Sequence, residues 1–355
     1  MTTTTVEKIA NAVLYEGYIL YPYRASAVKN QQRWNFGAVY PEAYSNATKG
    51  VDSWTMQTEC LVHSGRQTSL EVKVRFLHLV SREAGELTTP TSESDPNLSD
   101  FNVVPMLEVN GQYFQTWQEA IEREIVISGF ELSGADPEPL QLPFSFPATH
   151  AIEPLRNEET GRIAGVLSRR QQAIAGRCEV SVRRLTRDLL RVTIQIVNVT
   201  PMTDARWEDR EAALLRALVS THTILNLSGG EFVSLLDPPA TLAEAVAQCQ
   251  NVGTYPVLVG VEGERNCMLS SPIILYDYPQ IAPESAGDLY DGTEIDEILT
   301  LRIMTLTDEE KREMRSVDER ARQILERTEK LSTHEMMKLH GALRYPGHPG
   351  EKKHE

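Results

Sequence analysis

Apolar and polar residues alternate over long stretches of the first two thirds of the chain. In Leu70–Val80, Val72, Val74, Phe76 and Val80 fall on one side and Glu71, Lys73 and Arg75 on the other. A period of two is that of a half-buried strand. His78 continues the apolar side. Val103–Phe114 carries Asn110-Gly111 between apolar flanks, a pattern that predicts a tight hairpin. Gly161–Thr200 reads as a meander. Val180 and Val182 alternate, Thr186-Arg187-Asp188 turns, and Leu190, Val192, Ile194 and Ile196 then share a face. Short strands are expected at 255–261 and 268–275 and a longer one at 297–306.

Elsewhere the period changes to that of a helix. Leu214, Leu215, Leu218 and Val219 recur at helical spacing and predict a helix over 207–225. Thr241 with Glu244 forms a capping-box pattern and predicts a short helix over 241–249. Thr307 with Glu310 repeats that pattern. The stripe Met314, Val317, Ala321, Ile324, Leu325 and Thr328 then predicts an amphipathic helix over 308–330. A further short helix is expected from Ser332, and the end reads as a frayed tail.

These elements predict a mainly β (α+β) fold. Its antiparallel sheets would form sandwich- or barrel-like units with a few peripheral helices and a C-terminal amphipathic helix. Polar, proline-containing stretches at 86–100 and 134–153 interrupt the pattern. The second suggests a boundary between an N-terminal β-rich domain, 1–135, and a second, 150–306. A helical extension would follow at 307–345 and a tail at 346–355.

Composition narrows the classes of function. The chain has 355 residues and a formal net charge of −15. An acidic surface of that size repels phosphate backbones and anionic lipid, so nucleic-acid and general membrane-surface binding are not expected. No apolar run approaches the roughly 18 residues that a membrane helix needs, and MTTTTVEKIANAV lacks the basic start and apolar core of a signal peptide. Cys60, Cys178, Cys249 and Cys267 are scattered with no CxxC pair. Together these features suggest a cytoplasmic protein in a reducing compartment, with no zinc ribbon or thioredoxin-type motif.

Chemical motifs are sparse. His334 and His340 are spaced wrongly for HExxH ligands, His222 falls in the middle of the expected helix, and His78 continues the apolar face of a strand. Leu227-Ser-Gly-Gly-Glu231 lacks the Lys-Ser/Thr of a phosphate loop, and no GxSxG elbow occurs. The acidic run 287–297 fails as an EF-hand, because with Gly292 at the turn, Gly287 and Leu289 fall where carboxylates belong. No cofactor and no catalytic residue is expected.

Two strings are specified beyond what folding requires. Leu14–Gly37 (LYEGYILYPYRASAVKNQQRWNFG) is aromatic and cationic, with one acid, Glu16. Tyr and Trp bury area at low entropic cost, and they and Arg concentrate at interfaces. Tyr15, Tyr21, Tyr23, Arg24, Lys29, Arg33 and Trp34 are therefore expected to form a partner-binding surface. Ser270–Arg302 carries seven acids, of which Asp288, Asp291, Glu294 and Asp296 are expected to form a second, acidic surface. Being oppositely charged, the strings would face each other or a common partner. Asp277, between Tyr276 and Tyr278, is read either as a partly buried functional carboxylate or as a turn cap. A carboxylate and tyrosine site using Asp277, Glu284, Asp288 or Asp291 with Tyr15 or Tyr23 would make the protein a metal-binding protein or an enzyme. A self-assembling subunit, a homo-oligomer, would use the same edges.

The two strings, the second extended through RIMTLTDEEKREMR, resemble a family of uncharacterised bacterial proteins associated with gene clusters for nickel–iron hydrogenases. The resemblance runs from about Leu14 to Leu325 and is strongest at its two ends. It implies an accessory, assembly or scaffold role with a hydrogenase subunit or maturation factor as partner, and it implies no catalytic residues.

Overall fold

The computed structural model describes residues 2–14, 37–88, 98, 100–133, 138–203, 209–280, 303–317 and 319–330. It is mainly β and antiparallel, as the alternation predicts, and forms an open, sandwich-like arrangement rather than a closed barrel.

One strand organises the whole. β1 (Thr55–Leu87) is 33 residues long, several times the usual strand length. Its first third pairs with β10 (Leu189–Asn198), Cys60 lying opposite Val192. Its middle lies between β11 (Val219–Phe232) on one side and β5 (Trp117–Glu131) on the other. Its last third pairs with β8 (Ile163–Gln171) and β2 (Phe101–Val104). From β1 the sheet extends through β11 to β13 (Cys267–Ser271) and β12 (Tyr255–Leu258), and through β10 to β9 (Ile174–Arg184) and β6 (Leu140–Phe146). β7 (Thr149–Arg156) pairs with β8. β3 (Met106–Val109) and β4 (Gln112–Gln115) form the expected hairpin, with Asn110 and Gly111 at φ 54° and 73°.

The sheet folds over itself. β6 is three strands from β1 in the pairing order and joins it through β10, which pairs only as far as His63. Phe76 lies roughly 40 Å further along an extended strand. Yet its ring sits 6.0 Å from Phe144 and 5.9 Å from Phe146 of β6. The β10–β9–β6 wing therefore covers the middle of β1. Between the layers lie Cys60, Val62, Val72, Val74 and Phe76 of β1, Ile125 and Ile127 of β5, Cys178 and Val180 of β9, and Val192, Ile194 and Ile196 of β10. From Arg75 to Val80 both faces of β1 are buried, because Leu77 and Leu79 on the opposite face pack on Leu14 at the end of α1 (Thr2–Leu14), on Tyr40, on Tyr44 of α2 (Glu42–Ala47), and on Leu214 and Val219.

Several expectations are corrected. The sheet runs across the boundary expected at 134–153, which itself contributes β6 and most of β7; β1 pairs with strands from both sides of it. The helix expected over 207–225 is a five-residue α3 (Arg210–Leu214), capped by Asp209 accepting from the Ala212 N–H at 2.8 Å, and the chain then enters β11. Val219–Leu225 is buried on both faces between β1 and β13, which erases the alternation that marks a strand. β8 does not continue the meander but pairs with β1 and β7. Residues 303 and 304, expected in a strand, are helical.

The short helix expected near 241–249 is present as α4 (Ala243–Ala247), without a side-chain cap. At Thr307 the capping box forms fully: Glu310 N–H donates to Thr307 Oγ1 at 3.2 Å, and Thr307 N–H donates to Glu310 Oε2 at 2.9 Å. The single helix expected beyond it is two helices, α5 (Asp308–Val317) and α6 (Glu319–Lys330), folded back on each other. Lys311 and Arg315, one turn apart on α5, both pair with Glu329 near the end of α6, at 3.5 and 2.7 Å. The helix expected from Ser332 and the tail lie outside the described residues.

Candidate functional site

Tyr15, Tyr21, Tyr23, Arg24, Lys29, Arg33 and Trp34, and Glu284, Asp288, Asp291, Glu294 and Asp296, lie outside the described residues. The structure does place the borders of both strings. α1 (Thr2–Leu14) lays Val6, Ile9, Ala10 and Val13 on Ile224, Val257, Val259, Cys267 and Leu269 of the sheet. It is tied at its end by Ser220 Oγ donating to Val13 C=O at 3.3 Å. The first string leaves from Leu14 and returns at Gly37, whose carbonyl accepts from Thr221 N–H at 3.0 Å. Ser220 and Thr221 are consecutive residues, so both ends of the string are pinned at the start of β11.

The second string begins at the same place. Gly37 has φ +54°, and a Cβ there would lie 2.5 Å from Cγ and 2.9 Å from Cβ of Pro272. Only a residue without a side chain fits both the backbone and the proline ring. The cationic string therefore ends against the start of the acidic one.

Asp277 resolves toward the turn-capping alternative. Its Oδ1 accepts from Leu258 N–H at 2.8 Å and its Oδ2 from the Ser234 hydroxyl at 2.5 Å. Ser234 Oγ in turn accepts from the N–H groups of Leu236 and Asp237. Tyr278 sits at φ 54°, donating its N–H to Leu258 C=O and its hydroxyl to Glu264 C=O at 2.7 and 2.9 Å. Asp277 thus fastens the 275–280 segment to β12, and both its oxygens are engaged.

A polar network that no sequence motif announces lies on the core-facing side of β1. Beyond Phe76, His78 and Val80, the same alternation puts Arg82 on that face. Its guanidinium donates to Glu119 Oε1 at 2.8 Å, Gln115 C=O at 3.0 Å and Ser316 C=O at 3.2 Å. Arg169 of β8 bonds the other oxygen of Glu119 at 2.9 Å and Glu153 at 2.7 Å. Gln115 Nε2 donates to Ser316 Oγ at 3.0 Å, so the network also fixes α5 to the sheet. Further back along β1, His78 Nε2 lies 2.9 Å from Gln172 C=O, and Arg123 donates to Gln171 Oε1 at 3.1 Å while stacking on Phe146 at 4.6 Å. Burial pushes His78 down to about 4, against the opposing pull of the Gln172 carbonyl and with a lesser contribution from Arg123. The readable signal was an arginine and a histidine continuing the apolar face of a strand.

On the reverse face Arg75 pairs with Glu122 at 3.1 Å and Lys73 with Glu124 at 3.6 Å. His222, opposite Arg75, is buried and also pushed down to about 4 by burial. Burial raises the thiols of Cys178 and Cys267 to about 12 and that of Cys60 further. Among the described residues no group of three or more His, Cys, Asp and Glu side chains is arranged to hold a metal ion, and no helix is long and apolar enough to cross a membrane.

No family model and no curated protein matches the chain. Among solved structures, the Salmonella SPI-1 type III secretion injectisome secretin InvG in its open gate state aligns at 10% identity over 64% of this chain and 60% of that one, with a TM-score of 0.13. The chain spans less than two thirds of that structure, and a likeness of this degree carries no argument about fold or function.

Proposed function

We propose that the protein is a non-enzymatic accessory or scaffold protein that holds a partner from nickel–iron hydrogenase assembly, a hydrogenase subunit or maturation factor, in the cytoplasm. The observation that supports this reading is the junction of Gly37 with Pro272 at the start of β11. Two segments of opposite charge, far apart in sequence, are rooted side by side. Their resemblance to the hydrogenase-associated family is carried by these same segments. Tyr15, Tyr21, Tyr23, Arg24, Lys29, Arg33 and Trp34 supply aromatic and guanidinium anchors of the type that dominate interface energetics. Asp288, Asp291, Glu294 and Asp296 supply the acidic counterpart, which steers and orients a charged partner.

The test is capture of purified hydrogenase subunits and maturation factors by the tagged full-length protein, with the double charge reversal Arg24→Glu and Arg33→Glu as comparison. Loss of capture with an unchanged circular dichroism spectrum and melting temperature supports the reading. Capture that survives the reversal, or none by the unaltered protein, refutes it. Particle masses in the same samples distinguish a monomeric adaptor from a self-assembling subunit.

A further inference from the structure

Three atoms around the ring of Phe146 stand out. His78 Nδ1, Arg123 Nε and Gln171 Nε2 are all sealed from solvent and have no hydrogen-bond partner among the described residues. His78 is 0% and Gln171 3% exposed. Sealed polar atoms are almost always partnered in folded proteins, so three in one place require an account. Two other atoms of this kind, Tyr40 Oη and His222 Nε2, lie on the reverse face of β1, beside Leu77 and opposite Arg75.

These three belong to one spot. Phe76 faces Arg123 across the β1–β5 ladder and His78 faces Ile121, so His78 and Arg123 are diagonal neighbours on one face. Diagonal neighbours are about 7–8 Å apart at Cα, within reach of long side chains. Arg123 bonds Gln171 directly, Gln172 holds the other nitrogen of His78, and Phe146 touches both His78 and Arg123.

Their chemistry is complementary and specific. Arg123 Nε–H and the Gln171 Nε2 amino group can only donate. His78 is neutral near pH 7, being held down to about 4, and its Nε2 faces a carbonyl and so carries the proton. Its Nδ1 therefore offers a lone pair. The local charge is positive: Arg82, Arg123 and Arg169 make three cations, against Glu119 and Glu153, and both carboxylates are engaged by Arg82 and Arg169. Arg123 has no carboxylate partner among the described residues. Two donors, one acceptor and an unbalanced guanidinium, in a protein of net charge −15, suit a small monoanion with both acceptor oxygens and one O–H.

We propose that His78, Arg123 and Gln171 form a binding site for a small hydroxylated oxyanion of the bicarbonate or dihydrogen phosphate type. Arg123 and Gln171 donate to its oxygens, and its hydroxyl donates to His78 Nδ1. Phe146 covers the site and keeps water from competing. The site is independent of the partner-binding surface and stands or falls separately from it.

The test uses the full-length protein at pH 7 and constant ionic strength. Sodium bicarbonate, phosphate, formate and chloride are titrated by calorimetry and thermal melting, and the histidine nitrogens are followed by long-range ¹⁵N–¹H correlation. The expected result is saturable binding of bicarbonate or phosphate, whichever is the better fit, with a shift at His78 Nδ1. Gln171→Leu should weaken binding about tenfold or more, the worth of one hydrogen bond to a charged group. Because Arg123 variants could disturb folding, the unaltered protein decides. Absence of saturable binding overturns the site, as does equal binding of formate, which has no hydroxyl to offer His78. A crystal grown in bicarbonate that shows only water on the three atoms overturns it too.

Discussion

Replacing Gly37 by alanine tests the junction on which the functional reading rests. Two costs are expected. At φ +54° an L side chain crowds the backbone, which costs about 1–2 kcal/mol. The new Cβ also meets the Pro272 ring at 2.5 and 2.9 Å, well inside an ordinary contact of about 3.5–4.0 Å. A ring pinned between β13 and the segment leading to Asp277 can yield only by moving that segment, and overpacking of this kind costs about 1–3 kcal/mol. The sum is about 2–5 kcal/mol. Gly50 separates the two contributions, because it has φ +77° with nothing within 4 Å of the point where a Cβ would sit. Gly50→Ala should therefore lose only the backbone part. Urea unfolding, followed by far-ultraviolet circular dichroism, gives both values. Pro272→Ala in the Gly37→Ala background should recover much of the excess, as coupled neighbours do. If Gly37→Ala costs no more than Gly50→Ala, or Pro272→Ala rescues nothing, the two strings are not rooted against each other and the shared-surface argument fails.

Three further outcomes are expected. Arg82→Leu should cost roughly 2–4 kcal/mol, because Arg82 is nearly buried and joins Glu119, Gln115 and Ser316; faster proteolysis of the α5–α6 hairpin would report its loosening, and an unchanged digestion pattern would argue against the tie. His222 and His78 titrate near 6.5 when unfolded and are held down to about 4 when folded. Their contribution is thus complete above about pH 6.5 and is lost as the pH falls toward 4, on the order of 2–3 kcal/mol per histidine; His222→Phe should flatten that slope in urea midpoints measured from pH 7 to 4. Cys60, Cys178 and Cys267 are buried with thiols pushed up, while Cys249 is half-buried. A thiol reagent should modify at most Cys249 in the native protein and all four after denaturation; fast reaction of two or more native thiols would contradict the packing.

What could be read from the sequence depends on burial. β10 was legible because one face only is in the core, so Leu190, Val192, Ile194 and Ile196 alternate cleanly with Arg191, Thr193 and Gln195. The hairpin at Asn110-Gly111 and the capping box at Thr307 were legible because each is a local chemical device. β11 was not. With both faces buried, Val219–Leu225 carries polar and apolar residues on each side and shows no period of two, and Leu214, Leu215 and Leu218 preceding it completed a false helical stripe. The α5–α6 break was hidden for a related reason. Met314 and Leu325 pack with Ile303 in one small core, so the stripe continues in phase through the reversal. The network around Arg82 draws on β1, β4, β5, β7, β8 and α5, and no local pattern encodes such a meeting. The residues expected to bind a partner lie outside the described structure, so only the rooting of their strings bears on them.

The long strand also bears on the domain boundary expected near 134–153. Were the halves independent, each would keep its own core, and unfolding would proceed in two steps. β1 makes that unworkable on packing grounds. Its Cys60 and Val62 are covered laterally by β10, and its Phe76, in the same core as Val72 and Val74, is capped by Phe144 and Phe146 of β6, all from beyond residue 138. A fragment ending at 135 would expose this face, at a cost of about 1.5–3 kcal/mol for each large apolar side chain. Summed over these side chains, the loss is comparable to the roughly 5–15 kcal/mol that holds an ordinary domain together. The β-sheet should therefore unfold in one transition by both circular dichroism and tryptophan fluorescence, Trp54 lying just before β1 and Trp117 at the start of β5. Fragments 1–135 and 150–306 should each be unfolded alone. Two separated transitions, or a folded 1–135 fragment, would mean that the β1 pairings across the boundary contribute little, and β1 would lose its role in bringing the roots of the two strings, at Gly37 and Pro272, onto one sheet.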